Sequence, residues 1–206
     1  MYSQTEGETA VRLARWSIEA HLQEEETPKP PVPTIFSRKG GTFVTIQRHP
    51  GMELRGCIGY PDASSPLEDA VVRAAIMSCH DPRFPPLSVE DLGHVVVEVS
   101  LLEPSELVEV SEPLGYVSAI VVGRDGLIVR SGSQSGLLLP QVPVDGGWDV
   151  EEFLSQSCMK AGLLPDAWFE PTVRIYRFQA EVFTEVEPRG RVIRRELSAV
   201  HDGHRG

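Results

Sequence analysis

Long apolar runs, a basic excess, paired cysteines and nucleotide-binding glycine signatures are all missing from this 206-residue sequence. No apolar stretch approaches the roughly 20 residues that cross a bilayer, and Met1 to Gly7 has neither the basic nor the apolar region of a secretion signal. A cytoplasmic protein without a membrane segment is therefore expected. The three cysteines, Cys57, Cys79 and Cys158, are an odd number without a CxxC pair, which argues against a disulfide framework and a zinc ribbon and suits free thiols. The histidines form no HExxH motif, so no dedicated metal site is expected. Lys and Arg number 19 against 30 Asp and Glu, a formal net charge of −11. That balance repels a phosphate backbone unless basic residues gather on one face, so nucleic-acid binding is not expected. There is no P-loop and no GxSxG elbow; Gly132 to Gly136 is a Ser/Gly turn without the lysine and helix that would follow, and no cofactor is assigned.

What is present is an ordinary globular composition, 41% apolar and 24% charged. The length suits one continuous domain over residues 1–188, followed by a basic tail, 189–206, read as a solvated end. A first helix is expected over Glu6 to Gln23, with Thr5 and Glu8 as a capping box and Val11, Ala14, Ile18 and Leu22 as its core stripe. Four prolines in Glu24 to Pro33 impose an extended connection. Phe43 to Gln47 and Leu54 to Tyr60 read as a hairpin. Ser65, Pro66 and Glu68 predict a capped helix ending near Cys79. Val95 to Leu102 is a strand, Gly123 to Gly126 a hairpin turn between Ile120–Val122 and Leu127–Val129, and Asp149 with Glu152 caps a helix that Gly162 ends. Arg174 to Val186 reads as a long last strand. Helices interrupting runs of strands without regular alternation predict α+β, a mainly antiparallel sheet flanked by helices.

At Leu54 to Gly59 the chain reads LRGCIG, and it continues with Asp81-Pro82-Arg83-Phe84-Pro85-Pro86-Leu87, Glu98-Val99-Ser100, LLPQVP over Leu138 to Pro143, Gly147-Trp148-Asp149 and Lys160-Ala161-Gly162. In these blocks and their order the sequence resembles the AMMECR-type domain family, in its archaeal form, over nearly the whole chain. The resemblance implies a two-lobed α+β fold with a cleft near LRGCIG, and association with Memo-like and radical SAM proteins. It names no reaction.

Within LRGCIG, Gly56 and Gly59 allow a sharp turn or a close approach beside Cys57 and Ile58. Cys57 is either a nucleophilic or redox thiol, activated by a base or a nearby cation, or a small buried hydrophobe. Strand alternation places Arg55 on the face of Cys57, where its planar fork suits a carboxylate or phosphate. Three prolines stiffen Asp81 to Leu87 and hold Arg83; Asp81 serves a turn, an arginine or a ligand, and Phe84 and Pro86 line the same segment. Glu98, among valines, needs a partner such as Arg55, Arg83 or Lys160, as a structural ion pair or as a general base of raised pKa. The site expected is thus Arg55, Gly56, Ile58, Gly59, Asp81, Arg83, Phe84, Pro86 and Lys160 for binding, with Cys57 and Glu98 as catalytic candidates. The functions in play are binding of a small anionic molecule or a protein partner, covalent chemistry at Cys57, and regulation through nucleic acid.

Overall fold

Ser3, rather than Thr5, starts the first helix. In the computed structural model, which describes residues 2–24, 29–61 and 63–197, the Ser3 hydroxyl accepts the Glu6 amide and the Glu6 carboxylate accepts the Ser3 amide. The capping box lies two residues before the expected one. Helix α1 (Gln4–Gln23) then buries Val11, Ala14 and Ile18 as the apolar stripe predicts. Of the proline-rich connection, residues 25–28 lie outside the described residues.

The chain divides into two compact units, Met1–Glu103 with Glu181–Arg195, and Pro104–Ala180 with Glu196–Gly206. In the first, strands β1 (Gly41–Arg48) and β2 (Leu54–Tyr60) form a hairpin, helix α2 (Leu67–Ser78) follows, and strand β3 (Val95–Leu102) pairs antiparallel with β1. Pro66, not Ser65, is the N-cap of α2, and the Arg38 carbonyl accepts the amide of Leu67 at 2.8 Å. A backbone acceptor thus takes the place of the expected side-chain cap. Both α1 and α2 pack on the sheet, and Leu13, Ile18, Phe36, Val44, Ile46, Leu67, Val97 and Val99 close the core between them. Arg15 of α1 makes a buried ion pair with Glu185, whose carboxylate also accepts the Val97 amide at 3.0 Å.

The second unit holds β4 (Glu106–Leu107), α3 (Gly115–Ala119), β5 (Asp125–Ser131), β6 (Gln134–Leu138), α4 (Gln141–Gly146), α5 (Val150–Lys160) and the first part of β7 (Arg174–Glu185). Here β5 pairs antiparallel with β6 and β7, and β4 with β7. The hairpin expected at Gly123–Gly126 is instead at Ser131–Gln134, where Gly132 takes φ +57°. Asp125 explains the difference: fully buried, its carboxylate accepts the Val121 amide at 2.9 Å and pairs with Arg124, folding that segment onto itself. Asp149 caps α5 through the Glu152 amide at 2.9 Å, and Gly162 follows it at φ +78°.

The last part of β7 returns to the first unit and pairs with β8 (Val192–Arg194). Residues 189–195, read above as part of a solvated end, carry this strand and three ion pairs, Arg189–Glu19, Arg194–Glu181 and Arg195–Glu98; residues 198–206 lie outside the described residues. Both units are α+β. Among the described residues, no helix is long and apolar enough to cross a membrane.

Candidate functional site

The pairing of β1 with β2 shifts by one residue between Ile46 and Gln47: Gln47 faces Leu54, Ile46 faces Gly56, and Arg55 is the extra residue. Alternation fails at such a bulge, and this overturns the expectation that Arg55 lies beside Cys57. The charges that act on the Cys57 thiol come from Arg83, Glu98 and Asp81. Arg55 is 5% exposed, and its Nη1 and Nη2 donate to the carbonyls of Pro85 and Pro86 at 2.7 and 3.0 Å, with Asp91 Oδ2 at 3.4 Å. The fork expected to hold an anion is occupied by the chain's own backbone. Arg55 is thereby a clamp that sets the course of the proline loop.

Gly56 fits for a related reason. A Cβ there would collide with the carbonyl oxygen of Ser78 at the end of α2, and one at Gly59 would collide with the Phe43 ring. The absence of a side chain at Gly56 lets β2 lie directly against α2, and the Ser78 hydroxyl accepts the Ile58 amide at 3.0 Å.

Just beyond α2 stands Asp81, 2% exposed. One carboxylate oxygen accepts the Cys57 amide at 2.8 Å and Arg83 Nη2 at 2.6 Å. The other accepts the Arg83 amide at 3.1 Å and its Nε at 3.0 Å. The Arg83 hydrogen bonds hold this carboxyl well below the usual range, against the opposing effect of burial and with help from the two amides. Asp81 therefore performs the turn role and the arginine role together, tying LRGCIG to the proline loop.

Arg83 is the outward half of the pair. Its side chain is 53% exposed, its Nη2 also donates to the Cys57 carbonyl at 3.3 Å, and its guanidinium stands 5.6 Å from the Phe84 ring centre. Pro86 is exposed while its carbonyl serves Arg55.

Cys57 is half-buried, and the Thr45 hydroxyl donates to its sulfur at 3.4 Å. Burial pushes the thiol pKa up; the Thr45 hydrogen bond and Arg83 oppose this, while Glu98 and Asp81 add to it. Cys79 and Cys158, both buried, are pushed up to about 11. In register, Thr45 faces Cys57 on one side and Glu98 on the other, so the three form a row across β2, β1 and β3. Glu98 is 3% exposed and pairs with Arg195 at 3.3 Å, a partner that was not among the cations considered from the sequence. Lys160 belongs to the second unit, exposed in the last turn of α5.

The structure thus brings Cys57, Asp81, Arg83 and Glu98 together, along with Thr45, Ser78, Asp91 and Arg195, which the sequence does not single out. Lone hydroxyls in a strand and a helix carry no motif, and Arg195 lies 97 residues from its partner. Among the described residues, no group of three or more His, Cys, Asp or Glu is placed to hold a metal ion.

A family model, AMMECR1, matches residues 11–183. The chain is 51% identical over 193 residues to Protein MJ0810 of Methanocaldococcus jannaschii, covering 93% of this chain and 96% of that one. It is 52% identical over 197 residues to Protein TK0174 of Thermococcus kodakarensis, with the same coverage. The crystal structure of the uncharacterized protein PH0010 from Pyrococcus horikoshii superposes with a TM-score of 0.90 at 49% identity, covering 95% of this chain and 98% of that one.

Proposed function

The chain belongs to the AMMECR1 family, and on that footing we propose that the surface built by LRGCIG and the proline loop binds a small anionic ligand, a carboxylate or a phosphate, through Arg83. The observation that carries this reading is a half-exposed guanidinium whose Nε and Nη2 are fixed on a buried carboxylate. A guanidinium already held in place loses little conformational freedom when it receives a ligand, and its remaining N–H groups suit an oxyanion. Phe84 supplies an apolar edge to the same spot. Arg55 and Asp81 build the surface and stay beneath it. In a cytoplasmic setting, the same surface is where a Memo-like or radical SAM partner would deliver or receive the ligand.

Covalent chemistry at Cys57 is the second reading, favoured by its being the half-buried one of the three cysteines and by the Arg83 charge beside it. A thiol whose pKa burial raises, and whose described side-chain hydrogen bond comes from a hydroxyl, is poorly prepared for attack at neutral pH.

Thermal-shift measurements with a panel of small carboxylates and phosphate esters test the first reading, since binding to the native state alone raises the apparent Tm. An anion that raises the Tm of the wild type should fail to do so for Arg83→Gln, and should still do so for Cys57→Ser. A panel without effect on the wild type, or with an equal effect on Arg83→Gln, sinks it. Loss of effect in Cys57→Ser alone moves the case to the second reading.

A further inference from the structure

The second unit contains a cavity of about 570 Å³ that the Cys57 surface does not use, and every residue lining it lies between Leu107 and Arg174. Its volume falls within the range of small-molecule sites. Buried Val108, Trp168 and Val173 belong to its apolar lining. Phe169, 46% exposed and stacked on Trp168 with ring centres 3.8 Å apart, and half-buried Tyr116 add aromatic surface. Burial raises the Tyr116 phenol pKa, and the nearby Arg174 charge opposes this.

The charge of the lining is unbalanced. Glu109, Glu112 and Glu170 face a single cation, Arg174. All three carboxylates are exposed, and none makes a hydrogen bond or ion pair among the described residues. A cavity lined by aromatic and aliphatic side chains and bordered by three carboxylates against one cation is complementary to a positive group carried on an apolar body, which aromatic rings attract by their quadrupole and carboxylates by charge.

We propose that this cavity is a second binding site, for a small organic amine or guanidine with an apolar body. The apolar part displaces water from Val108, Trp168 and Val173, and the cationic head lies between the aromatic walls and the three carboxylates.

The test uses the full chain, labelled with ¹⁵N, and three probes of one shape: phenethylamine, 2-phenylethanol and phenylacetate. Phenethylamine should shift the amides of 108–112 and 168–174 saturably, with an affinity about tenfold or more above that of the neutral alcohol, and phenylacetate should be weakest. Glu109→Gln, Glu112→Gln and Glu170→Gln together should abolish the advantage of the amine while leaving the rest of the spectrum unchanged. Equal affinities for amine and alcohol, an advantage that survives the triple substitution, or no saturation by roughly 20 mM amine overturns the proposal. Preference for phenylacetate overturns it in favour of an anion held by Arg174. Shifts of the same amides with protein concentration alone overturn it in favour of a second copy of the chain. Arg83→Gln should bind phenethylamine as the wild type does, so this result stands or falls apart from the anion site.

Discussion

Replacing Asp81 by asparagine removes half of an acceptor that four donors share. The side chain can keep only one oxygen; whichever way the amide turns, its NH₂ group meets either the Cys57 amide with Arg83 Nη2, or the Arg83 amide with Nε. A buried donor left without an acceptor costs about 1–3 kcal/mol. The lost attraction to Arg83 adds little, because water reaches that 53% exposed side chain. About 2 kcal/mol is expected, which for a chain of this size is a fall in Tm of roughly 4–8 °C. The pH dependence carries the sharper signature. Because the folded-state pKa of Asp81 is depressed, its contribution is complete above the unfolded value of about 3.9 and is lost as pH falls through the folded value. Urea unfolding of wild type and Asp81→Asn should therefore give a constant difference from pH 5 to 8 that narrows below about pH 4. Equal stabilities at pH 7, or a difference that stays the same down to pH 2, would refute the reasoning.

Two further outcomes follow from the same geometry. Cys57 should react with iodoacetamide at pH 7 about tenfold or more slowly than a free thiol, accelerating only at alkaline pH, because burial raises its pKa; mass spectrometry of the native protein reads this, and rapid neutral alkylation contradicts it. Arg55→Met should lower stability by about 2–4 kcal/mol, since two carbonyls lose a charged donor in a buried place, whereas Arg83→Gln should cost less, about 1–2 kcal/mol, since that side chain is half in water and the amides of Cys57 and residue 83 still serve the buried Asp81 carboxylate. Chemical denaturation that reverses this order removes the division between a buried clamp and an exposed anchor.

The parts of the fold legible in the sequence are those written locally. Val95–Leu102 reads as a strand because every second residue and half of the others are apolar, and it is buried along its whole length. Asp149 and Gly162 bracket α5 because a cap and a stop act within one turn. Elsewhere the expected signal was outweighed by another: the Gly123–Gly126 turn yielded to the buried carboxylate of Asp125 within it, the cap at Thr5 to Ser3 two residues earlier, and the cap at Ser65 to the distant Arg38 carbonyl. At the site, residue identity was legible and direction was not. A single extra residue in β2 reverses the side on which Arg55 emerges, and no periodicity in LRGCIG announces it.

The clamp at Arg55 grips carbonyl oxygens, which every amino acid possesses. The path of the loop at Pro85 and Pro86 is thus specified without reference to the side chains it displays. Substitutions at Phe84, Pro85 and Pro86 can then change which side chains the loop displays while Arg55 preserves the path of the backbone beneath them, so that the chemistry of this surface can vary without redesign of the scaffold.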